Sequence, residues 1–128
     1  MPNSKGTGFT SKIAYSAITD KYAVILHPTS NENVLHPTAD NMDCIGFADD
    51  EQDTAGLHIA VQMIDGGGER YCVASGSITK GDLLICASGG KVKTRTGSGT
   101  EYILAKALEA GTDRNVLRVQ LYRAIMVN

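Results

Sequence analysis

The feature that most constrains this 128-residue chain is an internal repeat. Ile18-Thr19-Asp20-Lys21, followed by Ala23-Val24-Ile25, lines up with Ile78-Thr79-Lys80-Gly81 followed by Leu83-Leu84-Ile85, 60 residues on. Val34 matches Val92 at an offset of 58, and Ile45 to Asp50 falls on Leu104 to Glu109 at an offset of 59. Ala60-Val61-Gln62-Met63 then matches Arg118-Val119-Gln120-Leu121, again 58 residues on. Each half, about 18–64 and 78–122, therefore reads as turn, strand, short strand, strand, loop and long strand. A four-stranded unit with one apolar face is not stable alone, whereas two such units packed face to face close a core. The expected fold is all-β, a small β-barrel or sandwich with a pseudo-twofold internal repeat.

Local chemistry agrees with that reading at most positions. Tyr22 to Leu26 is a short apolar run stopped by His27-Pro28, and Val34-Leu35 precedes Pro37, which places that strand at a sheet edge. Leu57 to Ile64 alternates and is followed by Asp65-Gly66-Gly67-Gly68, read as a hairpin loop. Lys91 to Arg95 reads as an exposed alternating strand, and Val116 to Val127 as the last long β run. Tyr102 to Ala110 has helix-forming composition and ends at Gly111. Its repeat counterpart, Ile45-Gly46-Phe47, is poor helix material, so a strand is expected there as well. Residues 1–12 are polar and Gly-rich without periodicity. They head a flexible N-terminal arm, residues 1–17, in front of a single β domain over 18–128.

Composition excludes several classes. A net charge of −2, with no block of Lys or Arg, gives no footprint for nucleic acid or an anionic membrane. The N-terminus lacks the apolar stretch of a signal peptide, and no apolar run reaches the length of a membrane span. Cys44, Cys72 and Cys86 form an odd set without CxxC spacing and lie in or beside strand-like segments. They are expected to be free, buried and packed as small hydrophobes in a chain folded in reducing cytosol.

Candidate chemistry is sparse. His27-Pro28-Thr29 and His36-Pro37-Thr38, with Asp40, Asp43 or Cys44, could supply metal ligands, yet no zinc spacing is present and each His precedes a bend-forcing Pro. Turn residues on a hairpin rim are the expected role. Asp49, Asp50, Glu51 and Asp53 lack the alternation and central Gly of a calcium loop and are expected to be solvated. The Gly run at 66–68 is followed by a strand rather than the helix that a phosphate cradle needs. Ser75-Gly76-Ser77 has no partners for a nucleophile site, and no GxSxG elbow occurs. No catalytic residue, metal or cofactor is expected.

Three stretches carry a family resemblance: Ile18-Thr19 through Ala23-Val24, Asn33-Val34 through Pro37-Thr38, and Ile45 to Asp50. The second half carries more of it, in Val73 to Leu83, Ala87-Ser88-Gly89-Gly90-Lys91-Val92 and Ala107-Leu108-Glu109-Ala110. Over about residues 15–122 the chain resembles the small capsid decoration, or cement, proteins of tailed bacteriophages. That resemblance implies a β-rich, non-catalytic structural protein on the capsid exterior. It further implies a partnership with the major capsid protein, self-association as a trimer, and assembly in the bacterial host cytoplasm. The physical expectation for the interface is the N-terminal arm, whose Asn3, Ser4, Lys5, Phe9, Lys12, Ile13 and Tyr15 would add extended backbone to a neighbour's sheet edge. A tail or fibre adaptor is the alternative structural role. A ligand-binding barrel is the other alternative, disfavoured because 5% aromatic content and no Trp leave little to line a pocket.

Overall fold

The computed structural model describes residues 8–128. Ten strands follow one another: β1 (Phe9–Ala14), β2 (Ala23–Leu26), β3 (Asn33–Leu35), β4 (Gly46–Ala48), β5 (His58–Met63), β6 (Glu69–Val73), β7 (Leu83–Cys86), β8 (Val92–Thr94), β9 (Thr100–Ala107) and β10 (Val116–Val127). A single 3-10 turn at Ile64–Gly66 joins β5 to β6, and no α-helix occurs among the described residues. The helix-like stretch after Glu101 is strand β9, as its repeat counterpart required.

The repeat is structural down to its hydrogen bonds. β1–β5 close a barrel in the order β1-β3-β2-β4-β5, and β6–β10 form a sheet in the order β6-β10-β9-β7-β8, the same order read around the ring. The barrel is closed by parallel β1–β3 pairing at Ala14–Val34, and in the second unit one parallel bridge, Ala74–Val92, stands at the equivalent place. The Tyr15 amide donates to the Val34 carbonyl and the Ser75 amide to that of Val92. The paired amides and carbonyls of Ile18 and Gln52 recur as those of Ile78 and Gly111. The turn before β2 carries Lys21 at φ 69°, and its counterpart before β7 is Gly81 at φ 93°. A left-handed residue is thus required at this turn, and the second copy fills it without steric cost.

Two-sided burial explains the apolar run in β2. Val24 faces the barrel interior with Ala14, Ile18, Val34, Ala48, Ile59 and Val61. Its neighbours Ala23 and Ile25 point outward and join a second cluster with Phe47, Leu84, Leu104, Leu117 and Val119. That second cluster belongs to both units at once. Strand alternation puts successive side chains on opposite faces, so a strand buried on both must be apolar throughout. The backbone seam adds the Ala23 amide donating to the Gly90 carbonyl at 2.7 Å and the Gly89 amide to that of Pro37 at 2.8 Å. A side chain at Gly90, φ 110°, would collide with Tyr22, Ala23 and His36.

Four expectations are corrected. The arm drawn over 1–17 is too long: from Phe9 the chain is a barrel strand paired with β5 along its length, because β5 would otherwise present an open edge. Residues 1–7 lie outside the described residues. β3 is no edge strand, since β1 and β2 flank it and Pro37 falls beyond its end. Asp65 to Gly68 is no hairpin loop: β6 pairs with β10, so the Gly run connects one unit to the next. The strand near Lys91 is not simply exposed, as Val92 is fully buried in the shared core.

If the two units share one core, they unfold together. Phe47→Ala removes a fully buried ring from that core and is expected to cost about 3–5 kcal/mol. Calorimetry should show one transition for the native chain, shifted down as a whole in the variant. Two resolved transitions, with only one affected, would contradict the shared core.

Candidate interaction surface

Of the residues expected at the interface, Asn3, Ser4 and Lys5 lie outside the described residues. Phe9, Lys12 and Ile13 are half-buried in β1. The Lys12 ammonium donates to the Asn31 carbonyl at 2.9 Å, and the Ile13 amide to that of Glu32 at 2.8 Å. Tyr15 remains exposed, its ring 4.2 Å from that of His27. Three of the four described positions thus belong to the barrel strand, and the fourth, Tyr15, is an exposed aromatic.

The histidine and acid candidates are dispersed. Thr19 N–H donates to His36 Nε2 at 2.9 Å, so that nitrogen carries no proton, and Nδ1 then donates to the Ala23 carbonyl at 2.8 Å. Burial lowers the His36 pKa below its ordinary 6.5, against a smaller opposing effect of the Ala23 carbonyl. His27 sits apart, its Nδ1 bonded to Thr29. Asp40 takes the Ser88 amide at 2.8 Å and the Lys93 ammonium at 3.0 Å, which lower its pKa. Asp43 pairs with Arg123, and Cys44 is buried beside Cys86. Asp50 accepts the amide of Glu51, while Asp49 lies 3.8 Å from Arg70. Among the described residues no three metal-ligating side chains converge. All three cysteines are free and buried, and desolvation pushes the Cys72 thiol up to about 12.

The polar residues that matter most here gave no signal in the sequence. Arg123, inside the last apolar run, reaches back to Asp65 at 2.7 Å, Asp43 at 2.8 Å and the Cys44 carbonyl at 3.0 Å. Asn41 bonds both ways to β9, donating to the Thr100 carbonyl and accepting from the Tyr102 amide, each at 2.8 Å. Arg70 donates to Gln62 and to the Ala48 carbonyl, each at 3.1 Å, and stacks over Phe47. These side chains tie the first unit to the second. A cleft beside Arg70, bordered by Phe9, Lys21, Asp49, Glu69 and Tyr71, mixes both charge signs. Among the described residues every buried side-chain polar atom has a partner, so the cleft holds no buried polar group left unpaired.

Among the described residues Glu101 is the one fully buried carboxylate. It accepts the Thr96 amide at 2.7 Å, the Thr96 hydroxyl at 3.1 Å, and the Gly97 amide and Asn128 side chain at 3.0 Å each. Burial raises its pKa, but the four hydrogen bonds together outweigh it and hold the group below its ordinary 4.5. It pins the 95–100 turn that leads into β9.

The exposed apolar side chains gather most densely at the end of the β9–β10 ribbon. Seven large hydrophobic residues are exposed among those described, and Tyr122, Ile125 and Val127 stand within six positions of each other.

No known protein-family profile matches the sequence and no curated protein matches it, so neither comparison supports the resemblance to decoration proteins. Among solved structures, the chain is similar to the N base of the head fiber gp8.5 of bacteriophage phi29, with a TM-score of 0.73 at 16% identity. The match covers 94% of this chain and 98% of that one. At that identity the likeness establishes a shared fold.

His36 and Glu101 set the acid response. Both have folded pKa values below their unfolded ones, so each contributes stability that is complete above the unfolded value and lost as pH falls through the folded one. Thermal midpoints should hold near pH 8, decline in a first stage below about 6.5 and in a second below about 4.5. His36→Gln should abolish the first stage, and Glu101→Gln should blunt the second. A native chain whose midpoint is flat between pH 8 and 5 would contradict the His36 assignment.

Proposed function

We propose that this chain is a structural protein of a tailed-phage virion that attaches to the outer capsid surface and stabilises the shell, working by binding and not by catalysis. The observation that carries this reading is the end-to-end match of its duplicated β fold to a phage head-fiber base. The decoration role within that setting rests on the sequence resemblance alone. Its partners are then the major capsid protein and further copies of itself, with a trimer as the assembly. Each contact of such a protein can be weak, because a symmetric oligomer touching several shell subunits gains effective concentration. Binding only the assembled shell stabilises it by linkage. A second reading, a base that anchors a fibre to the head, is favoured specifically by the structural neighbour, which is itself a head-fiber base.

The test uses undecorated capsids of the cognate phage. Added protein should bind saturably, in a fixed ratio to shell subunits, and raise the temperature at which the shell releases its contents by several degrees. Saturable binding without any gain in heat resistance would favour the fibre-base reading. Absence of binding would defeat both.

A further inference from the structure

The internal repeat separates what the fold needs from what has been added. β5 ends at Met63, whose counterpart in the second unit is Leu121, yet β10 runs on through Val127. β4 spans Gly46–Ala48, while its counterpart β9 begins earlier, at Thr100. The second unit thus carries a ribbon, Thr100–Leu104 against Tyr122–Val127, with no equivalent in the first. A bulge between Leu121 and Ala124 marks where the added part of β10 begins.

The first unit clamps one edge of this ribbon and leaves the other open. Asn41 takes up the backbone of Thr100 and Tyr102, so those two residues direct their amide and carbonyl groups away from β10. Their partners across the ladder are Val127 and Ile125. In an antiparallel pair, opposed residues point their backbone groups the same way relative to the pair, inward together or outward together. Ile125 and Val127 therefore present theirs at the far edge. β6 pairs with β10 only as far as Gln120, and the last backbone bond on that side is from the Leu121 amide to Gly68. Beyond it no described strand covers β10. The same two residues are 60% and 82% exposed, and Tyr122 beside them is 49% exposed. An open strand edge bearing exposed apolar side chains is a pairing hazard that proteins ordinarily blunt with charge or cover.

Charge identifies the occupant. Arg123 is held by Asp43 and Asp65. Glu101 is buried under the Thr96 turn, with Arg95 3.7 Å from it. Every charge in the ribbon is thus neutralised within the chain, and none is aimed outward from the apolar patch. Close to the axis of a symmetric assembly each group meets its own copies, so a homotypic contact there tolerates apolar and neutral groups but not unpaired charges. We infer that the open edge and exposed face of the β9–β10 ribbon are the self-association surface of this protein, occupied by the ribbon region of neighbouring copies. The inference rests on the oligomeric part of the proposed function and gives it a location, at the C-terminal ribbon instead of the N-terminal arm.

The test is the solution mass of the full chain by light scattering at micromolar concentration. The native chain should form a defined oligomer, and Ile125→Asp combined with Val127→Asp should reduce it to the mass of one chain with an unchanged melting transition. Tyr15→Asp, at an exposed aromatic elsewhere, should leave the oligomer intact. A native chain that is monomeric, or a double variant that stays oligomeric, would overturn the inference. Should the double variant fail to fold, single cysteines decide: Val127→Cys should form interchain disulfides with oxidised glutathione and Tyr15→Cys should not. Equal crosslinking at both positions would overturn it too. A monomer that still decorates capsids, losing that ability in the double variant, would assign the ribbon to the shell and sink self-association alone. An oligomer dispersed by the double variant but never bound by capsids would uphold the ribbon and sink the capsid reading.

Discussion

Burial of one short strand on both of its faces governs this molecule. In β2, Val24 fills the barrel while Ala23 and Ile25 fill the space between the two units. Neither unit can satisfy that strand alone. The barrel would expose Phe47, Ile25 and Cys44, and the open sheet would expose Leu84, Leu104 and Leu117. Burying such side chains contributes about 1.5–3 kcal/mol each, so separation of the units would forfeit much of the stability of a small domain. Duplication is therefore the means by which a unit of short strands reaches a closed core. The polar ties of Asn41, Arg70 and Arg123 fix the relative placement of the units around that core.

The repeat was legible where side chains must be apolar and turns must be tight. The runs Ala23-Val24-Ile25 and Leu83-Leu84-Ile85, with Ile18 and Ile78 before them, are dictated by burial, and both copies preserve it. The first strand of the first unit was hidden, and that of the second was legible at Tyr71-Cys72-Val73 but without its partner. Phe9–Ala14 and Glu69–Val73 have little in common, because each is specified by the neighbour it pairs with and not by its own pattern. That is why the arm was drawn too long and the Gly run was read as a hairpin. The seam was hidden for another reason. Arg123 meets Asp43 from 80 residues away, and no local pattern marks such a pair.

The chemical candidates fared according to how much they depended on neighbours. The histidines and carboxylates lie apart: His27 bonds within its own turn, while His36, Asp40 and Asp43 are held by residues distant in the sequence. Glu101, unremarked in the sequence, became the one fully buried carboxylate because the Thr96 turn folds over it. Its four donors fix a turn and expose no acid or base to a cleft. At the β9–β10 ribbon the fold offers an open backbone edge and exposed apolar side chains, the materials of protein–protein contact. The fold that carries this surface is shared with a phage head-fiber base.

The most direct measurement is an image reconstruction of cognate phage capsids saturated with the purified chain. The account predicts added density on the outer shell at symmetry-related positions, fitted by the barrel and sheet as one body, with the β9–β10 ribbons meeting at the local axis. A bare outer shell, or density inside the capsid, would contradict it.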